Sequence, residues 1–271
     1  MEVVSKIVIV FSIVLVLVTC SFQSSNDVLK TQMTDLSIKD EYSDSTKKKV
    51  LMIGNSFTFY WNLPQVLERM FFTNGYNIEV DQITIGGSKL SDHWHNHIVE
   101  NYPIQEYEYI VFNDHSTYPL TNIDTCAKYL KLFTDYARQY TVKPFIYGTW
   151  EYPYLEEISS QQTQTTMAIL DSLADLNQAK YVPVGEAFKY MERNHPTINL
   201  YMDDNKHPSP NATYLAACVF YAMITGESPI DLPRRFEGKN IDGKKIYYII
   251  TEIESSKISQ KVANSITMDI R

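Results

Sequence analysis

Ser56 stands where a chain can do chemistry. Four apolar residues, Val50-Leu51-Met52-Ile53, run into Gly54-Asn55-Ser56-Phe57-Thr58, and a helix-like pattern follows. This is a buried strand delivering a serine into a tight turn at its C-terminal end, the place where open α/β sheets bind ligands. Gly54 supplies backbone freedom to such a turn, and Asn55 tolerates unusual dihedrals. A serine there is by itself an ordinary turn former. A hydrolytic serine needs more: a neutral imidazole within reach, a carboxylate to orient it, and donors for an oxyanion. The chain offers the first two together in Asp204-Asn205-Lys206-His207-Pro208. Three residues apart, Asp204 and His207 become neighbours on a helical turn, while Pro208 pushes His207 toward an extended or turn geometry.

The elements that must position these groups follow an alternating pattern. Strand candidates are Val50–Ile53, Ile78–Ile85, Tyr109–Phe112, Phe145–Tyr147 and Tyr181–Val184. Between them lie stretches with helical spacing, such as Leu63, Val66, Leu67, Met70 and Phe71, with Asn62 as cap and Pro64 in the first turn. Tyr214–Ile224 reads as a buried helix that fixes the His207 loop. Strand–helix alternation with apolar strands predicts a parallel sheet covered on both faces, and right-handed crossovers leave few topologies. The expectation is one α/β domain over residues 50–271, a doubly wound, flavodoxin-like three-layer sandwich on a five-stranded parallel sheet. Beyond Ile230 the pattern gives an extra strand at Ile246–Ile250 and a short helix around Ser259–Ile266.

Gly54-Asn55-Ser56 after a strand, with Asp204-x-x-His207-Pro208, resembles the first and last signature blocks of the SGNH/GDSL hydrolase superfamily. The likeness runs from Val50 to about Pro229. His207-Pro208-Ser209, Tyr214-Leu215-Ala216-Ala217 and Thr225-Gly226-Glu227-Ser228-Pro229 resemble a bacterial branch of it. The resemblance implies a serine esterase in which Ser56 is the nucleophile, His207 its base and Asp204 the partner of the base, with no cofactor. It also implies an oxyanion hole from a glycine after the second strand and an asparagine after the third. Gly87 fits the first, with Gly86 the alternative, and Asn113 the second. Val111 stands where the family has glycine.

Trp61, Trp94 and Trp150 all follow strand ends on one side of the sheet, joined by Tyr60, Tyr118, Tyr152 and Tyr154. Trp61, Trp94, Trp150 and Tyr152 would wall a crevice above Ser56, or else pack these loops onto the domain. Three histidines lie close together, His93, His95 and His97. On a helix His93 and His97 share a face, but no Glu completes a helical metallohydrolase pattern and no cysteine cluster supports a structural site, so no metal is expected. Glu151, Glu156 and Glu157 have no spacing that favours a glycosidase pair.

The chain's 271 residues carry a net charge of -8 and no basic block, which removes the electrostatic footprint of nucleic-acid binding. The N-terminus reads as targeting. Lys6 precedes an apolar stretch from Ile7 to Val18, too short to span a bilayer comfortably and right for a signal-peptide core. It ends Leu17-Val18-Thr19-Cys20, which resembles a lipobox with Cys20 as the lipidated residue; plain secretion or an uncleaved anchor is the alternative. Residues 21–49 are polar and read as a tether. Cys126 and Cys218 fall beside apolar residues and are expected as buried thiols. These readings predict an exported enzyme that removes acetyl or another small acyl group from a cell-surface carbohydrate, touching membrane only through the anchor. The alternatives are a lipase, thioesterase or arylesterase of the same superfamily, or a non-catalytic glycan-binding lipoprotein on the same fold.

Overall fold

The computed structural model describes residues 47–96, 102–162 and 164–270. The export segment with Cys20, the tether as far as residue 46, and His97 lie outside these. Five strands, β1 (Lys48–Gly54), β2 (Ile78–Thr84), β3 (Tyr109–Phe112), β4 (Lys143–Tyr147) and β5 (Lys180–Val182), form one parallel sheet in the order β2-β1-β3-β4-β5. This is the expected doubly wound α/β architecture. Its order reverses beside β1, so β1 delivers its C-terminal residues to the switch-point crevice.

The apolar runs were accurate guides to where strands sit and less so to where they end. β1 begins at Lys48, inside the segment read as tether, because ladder pairing continues to Lys48↔Ile78 and Lys49↔Glu79. β5 ends at Val182, and after Pro183 the residue Val184 already opens a helix. Ile85 leaves β2 and is about half-exposed.

In chain order the helices are α1 (Ser56–Phe59), α2 (Leu63–Thr73), α3 (Leu90–His95), α4 (Tyr118–Thr121), α5 (Ile123–Gln139), α6 (Pro153–Gln162), α7 (Thr166–Leu176), α8 (Val184–Asn194), α9 (Pro210–Thr225) and α10 (Ile253–Thr267). A three-residue 3-10 turn, Tyr60–Asn62, joins α1 to α2. Helix α9 is apolar around its whole circumference from Ala212 to Ile224 and is buried throughout, as such a helix must be. Pro210 sits in its first turn, Ser209 caps it by accepting from Ala212 N–H at 3.3 Å, and Gly226 ends it in the left-handed region at φ 79°. The cap lies two residues after His207, so this buried helix anchors the His207 loop.

Cys126 and Cys218 are buried and unpaired. The predicted strand near the C-terminus is β7 (Lys245–Ile250); its partner β6 (Arg235–Lys239) carries too few apolar residues to be read as a strand from sequence. The short helix expected around Ser259–Ile266 is the C-terminal half of α10, which starts at Ile253. The chain divides into two compact units. One, within residues 42–237 and 247–271, holds the five-stranded sheet and the ten helices of the described residues. Of the other, the described part is the hairpin tip, residues 238–246, where Gly243 turns at φ 75°.

Candidate active site

Asn55 is the N-cap of α1, which makes Ser56 the first helical residue. Asn55 is extended (φ -133°, ψ -154°), and its Oδ1 accepts from Phe57 N–H at 3.1 Å. Its Nδ2 donates to the carbonyls of Ser88 (3.2 Å) and Asp114 (3.0 Å), tying together the loops after β1, β2 and β3. The value of Asn55 is therefore its side-chain bonding, not the tolerance of odd dihedrals that its type suggested. Gly54 is likewise needed for space. A Cβ there would lie 2.7 Å from Thr58 Oγ1 and 2.8 Å from Asn113 Cβ.

The Gly54 carbonyl accepts from Ile85 N–H (3.2 Å), Ser88 Oγ (3.0 Å) and His93 Nε2 (2.8 Å). A carbonyl only accepts, so His93 carries its proton on Nε2. Burial pushes the pKa of His93 down, against the opposing pull of the Gly54 bond, Asp92 and Asp114, and its Nδ1 is buried without a partner. His93 is thus a neutral imidazole beneath the serine turn, also 2.7 Å from Ser88 Oγ. His95 pairs instead with the Tyr129 hydroxyl at 2.7 Å. Among the described residues no three His, Cys, Asp or Glu side chains converge as a metal site.

Residues 151 positions apart meet above this turn. His207 Nε2 lies 2.8 Å from Ser56 Oγ, and His207 Nδ1 lies 2.5 Å from Asp204 Oδ2. The other oxygen of Asp204 accepts from the backbone N–H groups of Lys206 (3.0 Å) and His207 (2.9 Å). Burial raises the pKa of Asp204, but the bonds from the His207 ring and these two amides outweigh it and hold the carboxyl at about 2. An ionised Asp204 fixes the proton on Nδ1 and leaves Nε2 to accept from the serine hydroxyl. The supporting loop is a turn, with Asn205 at φ 53°, and is closed by Met202 N–H to the His207 carbonyl at 2.9 Å. Tyr60 stacks on the His207 ring (4.3 Å between centroids, 9° between planes), and Phe57 meets it edge-on at 5.7 Å.

Asn113 follows β3 and bonds the serine turn. It is buried, its Oδ1 accepts from Asn55 N–H (3.4 Å) and Thr58 Oγ1 (3.1 Å), and its Nδ2 donates to the Asp114 carbonyl at 3.0 Å. Through Asn55 and Thr58 its side-chain oxygen holds the serine turn. The turn Ile85–Ser88 is closed by Ser88 N–H to the Ile85 carbonyl (3.1 Å), with Gly87 at φ 70°, a conformation that favours glycine for the bend alone.

The aromatic wall needs a larger correction. Trp150 is 1% exposed, stacked between Phe57 (4.3 Å) and Phe188 (4.1 Å), and its Nε1 donates to the Lys206 carbonyl at 3.1 Å. Trp94 packs edge-on against Phe133 and Tyr136 of α5. Tyr152 is buried, with its hydroxyl 3.2 Å from Ser116 Oγ. Trp150 and Tyr152 pack loops onto the domain, and the half-buried Trp94 packs α3 against α5. Only Trp61, at 39% exposure, stands toward solvent. The sequence reading missed His93 as a partner of the serine turn and the clasp of Tyr60 and Phe57 on His207. Phe57 and Tyr60 flank Ser56 in sequence, which was the available signal.

No protein-family model matches the chain, and no curated protein matches it. Solved structures do. A DUF4886 family protein from Bacteroides uniformis is 19% identical, with 82% of this chain and 95% of that one covered and a TM-score of 0.62. An acetylxylan esterase from Geobacillus stearothermophilus is 15% identical over 66% of this chain and 95% of its own, at a TM-score of 0.53. A protein assigned as an SGNH hydrolase, from Slackia heliotrinireducens, is 22% identical over 66% and 100%, also at 0.53. At such identities the likeness speaks for the fold. The chain has the three-layer α/β fold found in SGNH/GDSL hydrolases.

Proposed function

We propose that the protein is a serine ester hydrolase of the SGNH type, with Ser56 as nucleophile, His207 as general base and Asp204 as the carboxylate that orients it. The observation carrying this reading is the unbroken line Asp204 Oδ2–His207 Nδ1 (2.5 Å) and His207 Nε2–Ser56 Oγ (2.8 Å). A serine hydroxyl becomes nucleophilic when a base takes its proton as the new bond forms. Oγ adds to the ester carbonyl carbon, its proton passes to Nε2, and the carbonyl oxygen takes the negative charge. Collapse of this adduct breaks the bond to the alcohol, which leaves with the proton from Nε2. Water then repeats the sequence on acyl-Ser56 and releases the acid. The oxyanion is received by backbone N–H of the Gly86–Gly87 turn, Gly87 first. The bond from Ile85 N–H to the Gly54 carbonyl supports this by holding that turn against the serine turn.

The substrate in this reading is a small acyl ester, acetyl above all, on a carbohydrate outside the cytoplasm. Three things support it: the signal-like segment ending at Cys20, Trp61 exposed beside the site, and acetylxylan esterases among the structures that share the fold. Incubation with acetylated xylan should release acetate, and Ser56→Ala should release none. Cleavage of long-chain esters alone would overturn the carbohydrate part and leave the triad standing. Full turnover by Ser56→Ala would overturn the triad.

A further inference from the structure

The crevice beside Ser56 has a basic rim. Lys206, next to His207, extends its ammonium over aromatic rings, 5.2 Å from the centroid of Tyr152 and 6.0 Å from that of Phe57. Tyr152 reaches Ser116 through its hydroxyl, so this ledge abuts the loop that follows β3. On that loop the rings of His115 and Tyr118 lie 5.5 Å apart, and Lys89 places its ammonium 5.7 Å from the Tyr118 ring. Asn55 anchors the rim to the nucleophile turn: its Nδ2 bonds the carbonyls of Ser88 and Asp114, the residues just before Lys89 and His115.

Among the described residues neither Lys206 nor Lys89 is ion-paired with a carboxylate. Asp92 accepts from the Lys89 backbone N–H, and Asp114 is buried and bonded to the backbone N–H groups of Leu90 and His115. His115 senses the field. Burial lowers its pKa, Lys206 lowers it further, Asp114 opposes, and Lys89 pushes it down again. An unpaired ammonium half-withdrawn from water on an aromatic ledge attracts an anion more strongly than one in open solvent.

We propose that this rim is an anion subsite: the preferred ester carries a negative charge away from its scissile bond, received by Lys206 and Lys89 beside Ser56. The proposal rests on the serine-hydrolase reading above. It predicts selectivity that falls as salt rises, because the charges are only partly buried.

The test compares charged esters with neutral ones of similar size. On the acyl side, 4-nitrophenyl hemiglutarate is set against 4-nitrophenyl butyrate; on the alcohol side, 4-acetoxybenzoate against its methyl ester. The wild type should favour the charged member of at least one pair in kcat/KM, and the pair that responds tells which side of the ester meets the rim. Lys206→Gln and Lys89→Gln should each cut that preference by about tenfold, and Lys206→Arg should keep most of it. Equal treatment of charged and neutral esters, or an unchanged preference in both Gln variants, overturns the anion subsite and spares the hydrolase. If no ester is cleaved and Ser56 resists a fluorophosphonate, the hydrolase reading fails. The rim is then judged by calorimetric titration with glutarate. Binding that Lys206→Gln weakens supports an anion site, and absence of binding overturns it.

Discussion

His93 Nε2 lies 2.8 Å from the carbonyl oxygen of Gly54, two residues before Ser56. The same peptide unit donates its other end, Asn55 N–H, to Asn113 Oδ1 at 3.4 Å. Both faces of the peptide that feeds the serine are thereby held by buried side chains, His93 on one and Asn113 on the other. One imidazole faces the serine hydroxyl; a second, closed off from solvent, fixes the backbone beneath it.

His93 should therefore act on the rate more than on affinity. His93→Leu removes the donor and is expected to lower kcat by about ten- to a hundredfold with KM nearly unchanged, since small misplacements of a reacting group carry costs of that order. His93→Gln, whose amide reaches about as far as Nε2, should recover most of the loss. Loss of kcat and stability together in both variants would reduce His93 to a packing residue.

The same histidine has a pH signature. Its folded pKa lies below the unfolded value of about 6.5, because burial penalises the charged ring. As pH falls through that value the unfolded chain takes up a proton that the folded chain refuses, so folding weakens on acidification. His93→Gln should show a shallower fall in Tm than the wild type between about pH 7 and pH 5.

Asp204 has the same sign at lower pH, since its folded pKa also lies below the unfolded value. Its carboxyl, held at about 2 by the His207 ring and two backbone amides, stays ionised across the working range and gives up its contribution only as pH falls toward that value. Asp204→Asn should lower kcat on the order of a thousandfold or more by losing control of the tautomer. Because its side chain is 48% exposed, the change should cost less than about 1 kcal/mol in stability by urea denaturation.

Gly54→Ala tests the close packing under the turn. The added methyl meets Thr58 Oγ1 and Asn113 at under 3 Å, so β1 or α1 must move. A loss of about 1–3 kcal/mol is expected, with a fall in kcat. Wild-type stability and turnover would show that the turn is looser than this contact implies.

The tryptophans should divide cleanly. Trp150→Ala empties a stack between Phe57 and Phe188 and should cost about 3–5 kcal/mol. Trp61→Ala, at an exposed position, should leave stability within about 0.5 kcal/mol and raise KM for carbohydrate esters.

Much of the fold was legible because buried parallel strands are written as short apolar runs: Tyr109–Phe112 is β3, and Val50–Ile53 marks the buried middle of β1. Their limits were less so, since Lys48 and Lys49 pair through backbone alone, which no side-chain pattern records. The hairpin strand β6 escaped for the same reason. In the site, Ser56, Asp204 and His207 stood out by type and spacing. Trp94, Trp150 and Tyr152 misled, because an aromatic residue after a strand looks the same in sequence whether it lines a crevice or fills the space beneath a loop.

By itself, then, the sequence determined the layer architecture and the residue types available to the switch point, for hydrophobic period and turn chemistry are local properties of the chain. Only the tertiary structure decided which of those residues meet. It brought His207 to Ser56 across 151 positions, tied Asn113 to the serine turn, buried two of the four aromatic residues expected to wall the crevice, Trp150 and Tyr152, and set His93 beneath the serine. Such meetings depend on how helices and loops pack around the end of β1. At Gly54-Asn55-Ser56 that packing leaves a single peptide, clamped from both sides, on which a serine can be aimed.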